Sequence, residues 1–433
     1  MLQLARETGF QKRTGRLAPY DFLVLLTLGQ LGMKHPSLEG MSAALPTRIS
    51  REALHQRFTA PAAAFLRSCL QEVLQAKFPP LPVEPKLLHP FGRVWVVDSS
   101  SWGVREELRT VLPGSGGKAS NANCKIQLAY DYKQGDLMFL DETAGTVPDN
   151  CYTKHLPALL QKDDLLLIDQ GYFKLETFQA IIAKGAYFVT RLLPGTTVQA
   201  AGTAAPIDLP RALSQCRESV YTRSVTLGQG SRRTSPCRLV CLRVSEQVAQ
   251  ERRRRMKFHS RRKGRPLRHR QLLGCDWTIF ITNVPEAQLP LSMVRALYTV
   301  RWQIELIFKQ LKSIVQIHHS ATTNIHRVRC ELYGKLIAAV WIHRLHARAH
   351  PTHWQATRQE ISLEKFYKRL QERAFTLTQL CLVSWARARD YLFRELPRLL
   401  QHCVKHHQRS RMTTLEMLEA GFDPQLHTGK SDA

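Results

Sequence analysis

Two near-continuous apolar runs, RVWVVD ending at Asp98 and DDLLLID ending at Asp169, constrain the fold of this chain more than any other feature. Short runs of this kind, apolar on both faces and rich in branched residues, are the mark of buried strands in α/β sheets. Their neighbours agree: KIQLAYDY and LMFLDE, joined across a turn-like Gly135-Asp136, read as a hairpin, and ETFQAIIAK after Asp169 reads as a helix. Both aspartates stand at strand ends, where open α/β sheets place their ligand sites.

The pattern changes on either side. Residues 1–88 carry helical periodicity, in DFLVLLTLGQLGM and AAAFLRSCLQEVLQ, and the proline-rich FPPLPVEPKLLHP that runs across their end to Pro90 is a linker signal. Between those helices SLEGMSAALPTRISREALHQRF has the outline of a helix-turn-helix, with Ser50 as N-cap and Arg51, His55, Gln56 and Arg57 on the recognition element. From 89 to 184 the strands define the first part of a core. From 185 to 288 strand-like pieces (AYFVTR, SVYTRSVT, CRLVCLRV, WTIFITN) form a β-rich insertion. Residues 289–345 return to helix and complete the core, and 346–433 form a helical C-terminal region.

The helix expected over LYTVRWQIELIFKQLK carries the densest chemistry. At ~100° per residue Tyr298, Arg301, Glu305 and Lys312 fall within an arc of about 60°, beside rather than on the apolar stripe of Leu297, Val300, Ile304, Phe308 and Leu311. A carboxylate is thus flanked by an aromatic ring and two cations. Taken alone, an Arg/Glu pair four residues apart also suits an ordinary solvated helix face.

Charge narrows the partners. The 433 residues hold 62 Lys and Arg against 35 Asp and Glu, a formal charge of +27, which points to a polyanion and above all to nucleic acid. ERRRRMKFHSRRKGRPLRHR, inside the insertion, holds much of it, and Arg253, Arg254, Arg261, Arg262 and Lys263 are its candidate DNA contacts, with Phe258 available to stack. Trp277 reads as core. No apolar run suits a membrane span or a signal peptide, so cytoplasmic residence beside the nucleoid is expected, and the ten scattered cysteines read as reduced thiols. PGSGGKAS fails as a phosphate loop, with Leu112 where a glycine is needed and Ala119 where a hydroxyl is needed.

Asp98, Asp169 and Glu305 together suit a hard cation. Mg²⁺ takes oxygen ligands, and two such ions about 4 Å apart support in-line phosphodiester displacement.

At these residues the chain resembles the insertion-sequence-four family of DDE transposases. The match lies in Tyr298, Arg301, Glu305 and Lys312, spaced as Y-(2)-R-(3)-E-(6)-K, together with Asp98 in VVDSS and Asp169 in LLIDQGYF. The resemblance covers about residues 90–345 and implies a ribonuclease-H-like catalytic core interrupted by a β-rich insertion. It also implies Asp98, Asp169 and Glu305 as catalytic metal ligands for two Mg²⁺ (or Mn²⁺) ions. Tyr298, Arg301 and Lys312 would hold terminal phosphates. Gln170 and Thr299 depart from the family's frequent basic residues. The function implied is cutting at terminal inverted repeats and joining 3′-hydroxyls to target DNA, by a dimer in the DNA complex. A nuclease without strand transfer and an inactive DNA-binding descendant are the alternatives. The geometric expectation is that the three carboxylates converge to within about 8 Å.

Overall fold

The computed structural model describes the chain apart from residues 34–35, 77–84, 118–119, 204, 231–233, 265, 267–271, 273, 406–412 and 422–433. Short turns aside, its elements are α1 (Leu2–Glu7), α2 (Pro19–Val24), α3 (Leu38–Ala43), α4 (Arg51–His55), α5 (Ala60–Gln75), β1 (Val94–Gly103), β2 (Asn123–Asp131), β3 (Asp136–Ala144), β4 (Leu165–Leu167), α6 (Leu175–Ala183), β5 (Tyr187–Arg191), β6 (Val198–Ala200) and α7 (Leu209–Gln215). There follow β7 (Val220–Leu227), β8 (Cys237–Arg243), α8 (Glu246–Arg262), β9 (Trp277–Thr282), α9 (Val294–Thr299), α10 (Trp302–Ser313), α11 (Ile325–Thr357), α12 (Leu363–Val383), α13 (Trp385–Gln401) and α14 (Thr414–Ala420). The α/β class, the hairpin and the helical flanks are as the periodicity implied.

The chain forms two compact units, one of Met1–Val83, Asp98–Val147 and Ile304–Arg409, the other of Glu84–Val97, Pro148–Gln303 and Ser410–Ala433. In the first, β3, β2 and the second half of β1 are neighbours, and β2 pairs antiparallel with β3 from Asp131↔Asp136 to Cys124↔Ala144. Helices from both ends of the chain bury the rest of its core. α2 runs into a π-helical turn, Leu25–Gly29, that lies against α11 and α12, and Tyr20 donates its hydroxyl to the Cys381 carbonyl at 3.0 Å. Gly334 lets α11 approach that turn so closely that a Cβ there would collide with the Leu26 carbonyl. Ser50 caps α4 as expected, accepting from Ala53 N–H at 3.1 Å, but α4 is only five residues long.

In the second unit the order is β1-β4-β5-β9-β8-β7-β6. β1, β4 and β5 are parallel, in register Val94↔Leu165↔Tyr187 through Val96↔Leu167↔Val189, and every apolar side chain of β4 is fully buried. The half-exposed Arg93 guanidinium closes this edge on the buried Asp164 carboxylate at 2.6 Å. β9 joins β5 antiparallel, so the insertion strands β6–β9 continue the same sheet. The parallel β1-β4-β5 set together with the β3-β2-β1 hairpin edge is the ribonuclease-H-like arrangement that the resemblance implied.

Among the described residues no helix is long and apolar enough to cross a membrane. All ten cysteines are free thiols, and most are buried. Cys403 is buried, whereas His406 and His407 fall outside the described residues.

Candidate active site

Parallel register sets the two aspartates. The last registered pair is Val96↔Leu167, and Asp98 and Asp169 each stand two residues further on. Both are half-buried, and each accepts from a nearby backbone N–H: Asp98, which lies within β1 rather than at its end, takes Ser99 N–H on Oδ1 at 2.8 Å, and Asp169 takes Gly171 N–H on Oδ1 at 2.7 Å.

The expected single helix over Tyr298–Lys312 is two. α9 stops at Thr299 and α10 starts at Trp302, and between them Val300, Arg301 and Gln303 bond three residues back, to Leu297, Tyr298 and Val300. The cause is local: Thr299 Oγ1 donates to the Ala296 carbonyl at 2.6 Å, back-bonding that bends helices, next to the β-branched Val300. The common wheel therefore does not extend across the four residues. Tyr298 leaves the exposed stripe. It is only 8% exposed, its ring meets Phe280 edge-on at 5.2 Å, and its hydroxyl donates to the Ile168 carbonyl at 3.3 Å, next to Asp169.

Around Tyr298, within the second unit, the charges gather. Burial raises the Tyr298 pKa, Arg301 and Arg191 act to lower it, and Asp169 acts to raise it. Arg301 lies between two rings, 5.8 Å from Tyr298 and 5.7 Å from Trp302, and Trp302 is 57% exposed. Arg191 is exposed at the end of β5 and was missed from the sequence; the strand-end rule that picked out the aspartates applies equally to the VTR of AYFVTR. Gln170 is taken up by the fold, donating to the Leu192 carbonyl at 2.6 Å.

The boundary between the units falls after Gln303, so Glu305 and Lys312 belong with Asp98 in the first. Glu305 is half-buried in the first turn of α10. Two turns later Lys312 donates to the Ser101 carbonyl of β1 at 3.0 Å, and burial lowers its pKa. The carboxylates are hard oxygen donors of the kind Mg²⁺ takes. Among the described residues, however, no three His, Cys, Asp or Glu side chains are grouped closely enough to hold a metal ion. Asp98 and Glu305 belong to the first unit and Asp169 to the second.

The basic run is a helix for most of its length, because Glu, Gln, Arg, Met and Lys are strong helix formers and Glu251 pairs with Arg255 one turn on at 2.7 Å. It divides by role. Arg253, expected on DNA, is held by Glu246 at 3.0 Å and by Asp276, and Arg252 donates to Cys275 and Trp277 carbonyls and to Thr278 Oγ1. Arg254 pairs with Glu251 at 2.8 Å. Arg261, Arg262 and Lys263 are exposed at the end of α8, with no acid within ion-pair distance among the described residues. Phe258 is exposed there and Trp277 is core, as read; positions 265 and 267–271 lie outside the described residues.

Residues 89–341, more than half of the chain, match the model of the transposase DDE domain. The chain belongs to the DDE transposase family. It is 27% identical to the transposase of insertion sequence element IS231F from Bacillus thuringiensis subsp. israelensis, over 96% of this chain and 91% of that one. It is 25% identical to that of IS231B from B. thuringiensis subsp. berliner, over 97% and 92%. With the transposase of IS1151 from Clostridium perfringens it shares 27% over 78% and 75%. A piggyBac transposase in a synaptic complex with hairpin DNA aligns with a TM-score of 0.47 at 12% identity, over 95% of this chain and 82% of that one. A DDE transposase is an enzyme of DNA rearrangement, and the polycationic surface follows from that.

Proposed function

We propose that this transposase binds the terminal inverted repeats of its element, hydrolyses the phosphodiester at each end and joins the freed 3′-hydroxyls to target DNA, with Asp98, Asp169 and Glu305 as the catalytic carboxylates. The observation that carries this is the register of β1 and β4. Asp98 and Asp169 each stand two residues past the last registered pair of the parallel strands, Val96↔Leu167, which supports reading them as partners. Lys312 supports Glu305 as the third member. From Asp98 to Ser101 is three strand residues, about 10 Å, and from Glu305 to Lys312 is seven helical residues, also about 10 Å. The bond between Lys312 and Ser101 thus suits a helix that carries Glu305 level with Asp98.

In this reading two divalent ions, Mg²⁺ or Mn²⁺, supply Lewis acidity when bound. The chain's own residues do the rest. Arg301, backed by two rings, meets a terminal phosphate as a planar donor, and the exposed Trp302 beside it offers a stacking face for an unpaired base. Tyr298 anchors the Asp169 strand end through Ile168 instead of touching phosphate. Arg261, Arg262 and Lys263 grip flanking duplex, two copies of the chain pair the two element ends, and the work is done at the bacterial nucleoid.

The test is strand transfer from a labelled, pre-cleaved end into plasmid under Mg²⁺ or Mn²⁺. Asp98→Asn, Asp169→Asn and Glu305→Gln should each lower joined product by about 10³-fold or more while the variants still bind DNA. Cut ends without joined product would instead mark a nuclease. Wild-type cleavage in all three variants would remove the triad from the account.

A further inference from the structure

The turn that ends α10 is built more firmly than a helix end requires. Gln316 holds a left-handed φ of 55°, uncommon outside glycine. Ile317 N–H donates to the Leu311 carbonyl and His319 N–H to that of Gln316, both at 3.0 Å, and Gln371 of α12 holds Ile314 O at 3.1 Å. α11 then lays two buried charged side chains on it, one helical turn apart. Lys335, 3% exposed, donates from Nζ to the carbonyls of Gln316 at 2.9 Å and His319 at 2.8 Å. Glu331 accepts from Ser320 Oγ at 2.8 Å and from Arg327 Nε at 2.7 Å.

This clasp displays two imidazoles. His318 and His319 lie with ring centroids 4.6 Å apart, His319 exposed and His318 half-buried. The fields of His319, Lys312 and Lys335 all reach His318 and, after burial, lower its pKa. Four groups able to carry positive charge thus crowd one turn. The nearby carboxylate, Glu331, is already engaged by Arg327 and Ser320. Burial lowers the Lys335 pKa to about 8 and Glu331 offsets part of that shift, while the turn is held in one shape at a cost in backbone strain.

We propose that the Gln316–Ser320 turn is a phosphate-binding subsite in which His318 and His319, beside Lys312, receive the sugar-phosphate backbone of bound DNA. The proposal rests on the reading of this chain as an enzyme that grips DNA ends along the Glu305–Lys312 helix. Imidazole N–H groups are good phosphate donors, and Lys335 and Glu331 act as positioning residues, fixing the turn so that binding need not order it.

The experiment is equilibrium binding of the full chain to a labelled DNA duplex across about 50 to 200 mM salt. The double variant His318→Gln, His319→Gln should bind about tenfold more weakly, with an unchanged melting temperature. Lys335→Met, folded by circular dichroism, should show a similar loss with both histidines present; if it does not fold, the histidine variant decides alone. Wild-type affinity in the histidine variant, with binding weakened by Lys312→Ala, would overturn the subsite and leave the wider reading standing. Unchanged binding in Lys312→Ala as well would remove the whole helix from the DNA face. Absence of DNA binding by the wild-type chain would fell the proposed function itself.

Discussion

α8 and α11 are both long and rich in cations, and they use them in opposite ways. Along α11, Arg327 faces Glu331 at 2.7 Å, Arg329 faces Glu142 at 3.0 Å, and Arg344 faces Asp136 at 3.0 Å while also bonding the Val73 and Leu74 carbonyls. Lys335 is clasped by carbonyls, His343 is buried against Tyr130 and Tyr367, and the half-buried His346 and His350 lie against each other, with His346 also on Phe366. α8 is anchored at its base by Arg252 and Arg253 and ends in Arg261, Arg262 and Lys263, which point no charge at an acid among the described residues. A net charge of +27 therefore says little by itself about where a polyanion sits. What locates it is the stretch where acids are missing.

The comparison breaks most visibly in acid. Burial pushes His343 and His346 down to about 3 and His350 down to about 4. Their folded-state pKa values lie below the ordinary imidazole value, so the unfolded chain takes up protons first and stability falls as pH drops from about 6.5 toward 4. At pH about 5.5 the three together should cost on the order of 4 kcal/mol. Urea midpoints across that window check it, and a flat profile, or one that His343→Phe leaves as steep, would show that α11 does not hold these groups neutral. Next comes Arg344→Ala, which strands Asp136 and two carbonyls and should destabilise by about 3 kcal/mol by urea unfolding. A loss near zero would make α11 charges as dispensable as surface ones.

On α8 the expected readout switches from stability to affinity. Replacing Arg261, Arg262 and Lys263 by alanine should weaken duplex binding about 10²-fold and lower the salt slope by about 2 to 3, without moving the melting temperature. Arg253→Ala, about two helical turns before that tip, should do the reverse: a loss of about 1 kcal/mol in stability, with binding nearly intact. Binding lost equally in both would erase the distinction between the base and tip of α8.

Sequence periodicity carried the strands well because burial on both faces leaves a mark on every residue: Val94–Val97 and Leu165–Leu167 are buried throughout. It placed Asp169 just past the end of β4, but Asp98 lies within β1, which runs on to Gly103 through the polar DSSSWG that the apolar pattern does not mark as strand. It failed where one side chain decides the backbone. Nothing in the apolar pattern marks the break between Thr299 and Trp302; a hydroxyl folding back on Ala296 does, and it carries Tyr298 into the core. Arg253 was similarly unreadable, since its partner Asp276 comes from 23 residues on. Cations look alike in a sequence until their acids are known.

The close approach at Gly334 and the Tyr20 bond to Cys381 join segments made at opposite ends of synthesis, 361 residues apart in the second case. Helices translated first thus wait with their apolar faces uncovered until α11 and α12 leave the ribosome, and neither unit is complete before most of the chain exists. A message cut short would leave the first unit without the helices that cover its core. In this fold, the intact reading frame is itself a condition for completing either unit.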